Sequence, residues 1–158
     1  MKELVIGGDG FIGSRLCAAL GAPGTSRRPG ASLYFDLCGT EPVPEAEVTY
    51  IAACVIRPPE VNGYDGWRAN VDGTIRVINE AAAIGFVVWL SSGSVCFRSD
   101  AYARHKAQVE LYMLCTAGRG AIVRICSQVN DDNIGGLLQF IAKVGNAKKD
   151  GLFEWTAP

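Results

Sequence analysis

The feature that most constrains this chain is a glycine cluster near its start. Leu4, Val5 and Ile6 form a short apolar run that stops at Gly7-Gly8-Asp9-Gly10. Phe11 to Leu20 follows, with Ile12, Leu16 and Leu20 on one face of a helix. Gly8, Gly10 and Gly13 satisfy GxGxxG, and Gly7, Gly10 and Gly13 satisfy GxxGxxG. Between a strand and a helix, this spacing makes a tight turn that brings backbone N–H groups and a helix N-terminus against a pyrophosphate. A side chain at Gly10 would block that approach. The bland alternative is a glycine-rich connector that binds nothing.

The rest of the chain alternates β-rich and helical segments, the pattern of an α/β fold with a parallel sheet. Thr25-Ser26-Arg27-Arg28 lies between two Pro-Gly pairs, and Ser32 to Phe35 is a second short β-rich run ending at Asp36. No helix fits between these two runs. Val48 to Cys54 reads as a central strand covered on both faces. A helix fits about Gly66 to Ile84, with Trp67, Val71, Ile75, Ile78 and Ala82 as its stripe and Val77, Ala81 and Ile84 elsewhere on the cylinder. Phe86 to Leu90 is a strand that leads into Ser91-Ser92-Gly93-Ser94. Ala101 to Thr116 is a second long helix, Ala121 to Ile125 a strand, and Ile134 to Val144 a weaker helix. Leu152 to Trp155 reads as an edge strand.

Composition narrows the function classes. The 158 residues suit one domain, with 49% hydrophobic and 20% charged residues, as in an ordinary globular chain. A net charge of -1 favours neither nucleic acid nor an anionic membrane as the main partner. Ala81 to Leu90, the longest strongly apolar run, reaches about half of the ~20 residues that cross a bilayer. The N-terminus reads as a buried strand and not a signal peptide, so a cytoplasmic location is expected. Six cysteines include no CxxC pair, and His105 is the single histidine, so no metal site is expected. The thiols read as reduced, mostly buried small apolar residues.

Several segments, in order, resemble the extended short-chain dehydrogenases/reductases, the class of sugar-nucleotide epimerases, dehydratases and 4-keto-sugar reductases. Val5 to Gly13 is similar to the opening of that class. Tyr50-Ile51-Ala52-Ala53 stands at its HxAA-like strand end, with Tyr50 in place of His. Asn70-Val71-Asp72-Gly73-Thr74 resembles its Asn-x-x-Gly-Thr helix. Val88 to Val95 is similar to its strand ending in a serine pair, and Tyr102-Ala103-Arg104-His105-Lys106 is YxxxK. The resemblance spans about residues 3 to 130. It implies a Rossmann-like, doubly wound parallel sheet, here as a single minimal domain over residues 1–158.

The implied chemistry is a Ser92, Tyr102, Lys106 triad. A spacing of four places Tyr102 and Lys106 on one helix face. A phenol of ordinary pKa near 10 is a poor acid/base at neutral pH, and a nearby ammonium is expected to lower it. Tyr102 would then exchange a proton with a carbonyl or carbinol oxygen that Ser92 also hydrogen-bonds. Ser91 and Ser94 are weaker candidates for the serine role. His105, one residue from Lys106, is expected to point off this face as a surface or interface residue. The resemblance implies that Asn70 holds a water or a backbone group near Lys106. For an isolated YxxxK, an amphipathic helix with a snorkelling lysine is the ordinary reading.

The expected cofactor is NADP. A carboxylate about 20 residues past the first glycine would bind the ribose hydroxyls of NAD. That distance lands instead on Arg27 and Arg28, whose guanidinium groups suit a 2′-phosphate. Gly7, Gly10, Phe11, Ile12, Gly13, Ser26, Arg27, Arg28, Asp36, Leu37, Ala52, Ala53, Asn70, Tyr102 and Lys106 form the expected cofactor site. A rival register makes Asp36 the ribose ligand and the cofactor NAD.

Compared with that class, the Ser92–Tyr102 interval is short and no substantial C-terminal substrate region follows the last matched strand. The expectation is a minimal NADP-dependent oxidoreductase or epimerase acting on a carbonyl or sugar-like substrate. The competing expectation is a non-catalytic NADP-binding sensor or docking module. The resemblance also implies a homodimer through the helices near residues 66–84 and 101–116.

Overall fold

The computed structural model describes residues 1–57, 59–116, 119–125 and 134–146. Four strands, β1 (Glu3–Ile6), β2 (Val48–Ile51), β3 (Phe86–Ser92) and β4 (Gly120–Ile125), form one sheet in the order β1-β2-β3-β4. All three pairings are parallel, with Val5 beside Tyr50, Tyr50 beside Val88 and Val88 beside Ala121. The helices are α1 (Phe11–Leu20), α2 (Tyr64–Trp67), α3 (Thr74–Ile84), α4 (Ala101–Thr116) and α5 (Ile134–Asn146). Residues Arg68–Gly73 form a π-helical turn that joins α2 to α3.

Strand periodicity assigns the two faces. Leu4, Ile6, Ile51, Val87 and Trp89 pack with Val77, Ile78 and Ala81 of α3 and Val109 of α4. Val5, Val48, Tyr50, Val88 and Leu90 pack with Leu16 of α1 and Ile141 and Val144 of α5. Both faces are thus covered, which is why the strands read as continuous apolar runs. The result is the expected doubly wound α/β architecture.

The other edge of β1 is bordered by segments too short to be strands. Val5 bridges Gly24 and Ser26 bridges Tyr34, both in parallel. The Val5 amide donates to Pro23 O at 3.0 Å, and the Thr25 amide to Val5 O at 2.8 Å. The order outward from β1 is therefore residues 23–26, then residues 33–35. No helix lies between these two segments, as expected.

The long central helix departs from its expected stripe. Val71 and Ile78 of the stripe are buried as expected, but so are Val77 and Ala81, whereas Trp67 is exposed. The π turn inserts extra backbone between Trp67 and Thr74, so a 3.6-residue period drawn through both halves loses register. Two strand bounds also shift: β2 ends at Ile51 rather than Cys54, and β3 runs on to include Ser91 and Ser92. The expected edge strand at Leu152 to Trp155 lies outside the described residues. Among the described residues, no helix is long and apolar enough to cross a membrane.

Candidate active site

The glycine turn is built as its spacing requires. Gly7 has φ +85°, and a Cβ there would lie 2.8 Å from the Ala53 backbone. At Gly13 a Cβ would run into the Gly7 carbonyl oxygen. At Gly10, by contrast, the one neighbour a Cβ would meet is the Gly7 oxygen, at 3.4 Å. Chain packing therefore demands glycine at positions 7 and 13, while position 10 borders open space. Thr25 pins the turn from the side: its Oγ1 accepts from the Gly7 amide at 3.2 Å and its carbonyl from the Gly8 amide at 2.8 Å.

That open space is a cleft of about 510 Å³ at the C-terminal edge of β1 and β2. Gly7, Gly10, Ser26, Arg27, Asp36, Leu37, Ala52 and Ala53, all expected from sequence, line it. Asp9, Thr25, Cys54, Val55, Ile56 and Arg57 line it as well and were not anticipated. Phe11 begins α1 and is about half exposed, with the Arg15 guanidinium 3.9 Å over its ring. Ile12 packs on the α1 face of the core.

Arg27 and Arg28 part company. Arg27 lines the cleft, whereas Arg28 Nε pairs with Asp9 Oδ2 at 3.2 Å. The same carboxylate oxygen accepts from Ser26 Oγ at 2.9 Å, and Ser26 Oγ accepts from the Arg28 amide at 3.0 Å. An acid inside the glycine turn thus engages the two groups flanking Arg27. The signal was available, since Asp9 stands between Gly8 and Gly10. Asp36 ends the outer segment, and its Oδ1 accepts from the Cys38 amide at 2.9 Å.

The triad residues lie on β3 and α4. Asp100 caps α4 by accepting from the Ala103 amide at 2.9 Å, which sets the first turn that carries Tyr102. Ser94 donates to Ser92 Oγ from both its amide, at 3.2 Å, and its hydroxyl, at 2.9 Å. Lys106 is 5% exposed and donates from Nζ to the Leu90 carbonyl at 2.8 Å. Its Nζ lies 4.8 Å from the Trp89 ring centroid and 5.8 Å from that of Tyr102.

This geometry corrects the expected titration of Tyr102. Burial, then the Cys54 and Asp100 charges, push its phenol up to about 12, with the Ser92 hydroxyl acting the other way. The Lys106 ammonium is directed at the Leu90 carbonyl and the indole beneath it, 5.8 Å from the centre of the Tyr102 ring. Burial also depresses Lys106 itself, opposed by Cys54 and Glu110. Ser91 is excluded from the serine role, because its hydroxyl donates to the buried Glu110 carboxylate at 2.6 Å.

Two further expectations are corrected. His105 is not a surface residue: it is 5% exposed and stands edge-on to Trp67, ring centroids 5.4 Å apart. The thiols are not mostly buried: Cys96 and Cys115 are exposed, and Cys17, Cys38 and Cys54 are partly so. The sixth, Cys126, lies outside the described residues. Asn70 does hold a backbone group: Oδ1 accepts from the Val55 amide and Nδ2 donates to the Val55 carbonyl, both at 2.7 Å.

No protein-family model and no curated protein matches the sequence. Solved structures do match the fold. A Bacillus halodurans protein named as a candidate NAD-dependent epimerase/dehydratase aligns with a TM-score of 0.79 and 18% identity, covering 94% of this chain and 89% of its own. A short-chain dehydrogenase/reductase superfamily protein from Agrobacterium tumefaciens with bound NAD aligns at 0.66 and 20% identity, covering 78% of this chain and 48% of its own. UDP-glucuronic acid 4-epimerase from Bacillus cereus, in complex with NAD, aligns at 0.63 and 19% identity, covering 80% and 56%. The chain thus spans about half the length of the last two. The likeness is one of fold: a parallel sheet covered by helices on both faces, as in these solved structures.

Proposed function

We propose that this chain binds NADP in the glycine-turn cleft and acts as an oxidoreductase on a carbonyl or hydroxyl of a small, sugar-like molecule. The observation that carries this reading is a juxtaposition. Tyr102 and Lys106 meet beside Leu90 near the C-terminal end of β3, the strand next to β2, so the acid/base group stands at the same sheet edge as the cleft bordered by Gly10. The residues present fit a dinucleotide. Gly10 leaves room for a pyrophosphate at the α1 N-terminus, and Arg27 and Ser26 stand where an adenosine ribose carrying a 2′-phosphate would be read. Asp36 and Leu37 would border the adenine, and Ala52, Ala53 and Asn70 would border the nicotinamide half.

The cofactor, when bound, supplies or accepts the hydride. With its phenol pushed up to about 12, Tyr102 would hold at neutral pH a proton that it can donate to a carbonyl oxygen. Ser92 orients that oxygen and stabilises the phenolate left behind. Lys106, fixed by the Leu90 carbonyl, would hold the nicotinamide ribose. The two cofactor-bound neighbours carry NAD; the preference for NADP rests on the backbone register here. Residues 23–26 adjoin β1, so the second-strand position ends at Ser26 and Arg27, and Asp36 falls on the segment beyond.

A second reading, a non-catalytic NADP-binding module, is kept because the Lys106 ammonium, which would activate the phenol, is directed at the Leu90 carbonyl. Tyr102→Phe separates the two. The enzyme reading expects turnover on a carbonyl panel to fall by about 10²-fold or more, within the range of acid/base contributions, with cofactor affinity within about twofold. Wild-type turnover that survives the substitution sinks the triad, and no wild-type turnover on any substrate favours the module. We assign a cytoplasmic setting and a homodimer as part of the same proposal.

A further inference from the structure

The Asn70 carboxamide has its orientation dictated by backbone. The Val55 amide can only donate, so the atom it meets at 2.7 Å is oxygen; the Val55 carbonyl can only accept, so its partner at 2.7 Å is the amide nitrogen. The oxygen also accepts from the Cys54 thiol at 3.3 Å. One amide proton of Asn70 remains, and it faces His105 Nδ1 at 3.3 Å. That nitrogen must therefore accept, which makes His105 a neutral imidazole carrying its proton on Nε2. A protonated His105 would set N–H against N–H. Asn70 could not answer by flipping, because a flip would mismatch both bonds to Val55.

We propose that His105 is a positioning residue: as a neutral imidazole it holds Asn70, and through Asn70 it holds the Cys54–Val55 segment that lines the cofactor cleft. This rests on the reading of that cleft as a dinucleotide site. The groups around His105 favour the neutral form. It is buried, Arg104 on its own helix carries the same charge that protonation would add, α2 sets Trp67 against its ring with Tyr64 on the same groove, and the π turn presents Asn70. Burial first and Arg104 second hold its pKa below the ordinary 6.5. The neutral form is complete above about 6.5, and the clamp is lost as pH falls through the lower value.

The test uses wild type, His105→Asn and His105→Leu. Asparagine places an oxygen near the position of Nδ1 and does not titrate; leucine removes the acceptor. Dissociation constants for NAD and for NADP are measured from pH 8 to 5.5. The wild-type to His105→Asn ratio at each pH cancels the titration of the cofactor's own phosphate. Wild type should weaken progressively relative to His105→Asn as pH falls, approaching about tenfold once His105 is protonated, the scale of one lost buried hydrogen bond, and His105→Leu should be weak throughout. A ratio that stays flat across the His105 midpoint reported by NMR, or His105→Leu binding as wild type, overturns the proposal. Nitrogen-15 NMR of wild type gives a readout independent of cofactor. It should report the Nε2–H tautomer at pH 7.5 and an Asn70 side-chain amide that shifts with the His105 midpoint. The other tautomer, or an Asn70 signal indifferent to His105, also overturns it. Failure of wild type to bind either dinucleotide at pH 7.5 counts against the proposed function, while the NMR still decides on His105.

Discussion

Asp9 is the residue whose role is hardest to reconcile with a simple phosphate cradle. Its carboxylate already takes the Ser26 hydroxyl and the Arg28 guanidinium, the same donors a 2′-phosphate would use. A bound NADP would compete with an internal anion for them. The pair is exposed, so the internal contact contributes only about 0.2–1 kcal/mol. Asp9→Asn should therefore tighten NADP by a few-fold and leave NAD nearly unchanged. Replacing Arg27 and Arg28 together with alanine should weaken NADP between several-fold and about a hundredfold, since charge-assisted hydrogen bonds contribute about 1.5–3 kcal/mol each at most. Calorimetric titration of both variants with both cofactors checks this. Equal losses for NAD and NADP in the double variant would remove the phosphate role of the arginines.

Helix α4 shows what a sequence can disclose about an element and what it cannot. The spacing of Tyr102, Lys106 and Val109 on one face was legible, because an isolated helix has one period and one sheet beneath it. The burial of His105 was not, because α4 packs on two neighbours at once. The sheet covers Lys106, while α2 and the π turn cover His105, so adjacent positions are both interior. Glu110 was hidden for a related reason: its partners Ser91 and Arg124 lie on β3 and β4 and are set by tertiary packing. Burial alone would raise its pKa, but the Arg124 guanidinium and the Ser91 hydroxyl outweigh it and hold the carboxyl below its ordinary 4.5. The sign follows: this stabilisation is present above about 4.5 and is lost as pH falls through the lower folded value. Arg124→Met, which strands a buried carboxylate, should cost about 3 kcal/mol. Glu110→Gln should cost less, because Arg124 is half exposed and readily solvated. Denaturant unfolding at pH 7 and pH 3 should show the Arg124→Met deficit shrinking in acid; a deficit that is the same at both would contradict the ion-pair account.

At the scale of the whole molecule, the order of elements was readable because apolar runs, glycine turns and the absent helix between residues 26 and 32 all have local signatures. The side chains left uncovered by that order are equally specific. Tyr64 and Trp67 of α2, with Leu111 and Leu114 of α4, are exposed, Leu114 by 71%. Apolar groups of this size on two neighbouring helices suit a self-complementary two-fold contact. Light scattering at micromolar concentration should report the mass of two chains, and Leu114→Lys with Leu111→Lys should halve it; a wild-type mass of one chain would refute the dimer. The proposed function requires the cleft beside the glycine turn to be a dinucleotide site that reads a 2′-phosphate. The most direct test is titration of the purified protein with NADP and with NAD under the same buffer at pH 7.5. Saturable one-site binding of NADP, at least several-fold tighter than that of NAD, is the result predicted. Tighter binding of NAD would restore Asp36 as the ribose ligand, and binding of neither would contradict the central claim outright.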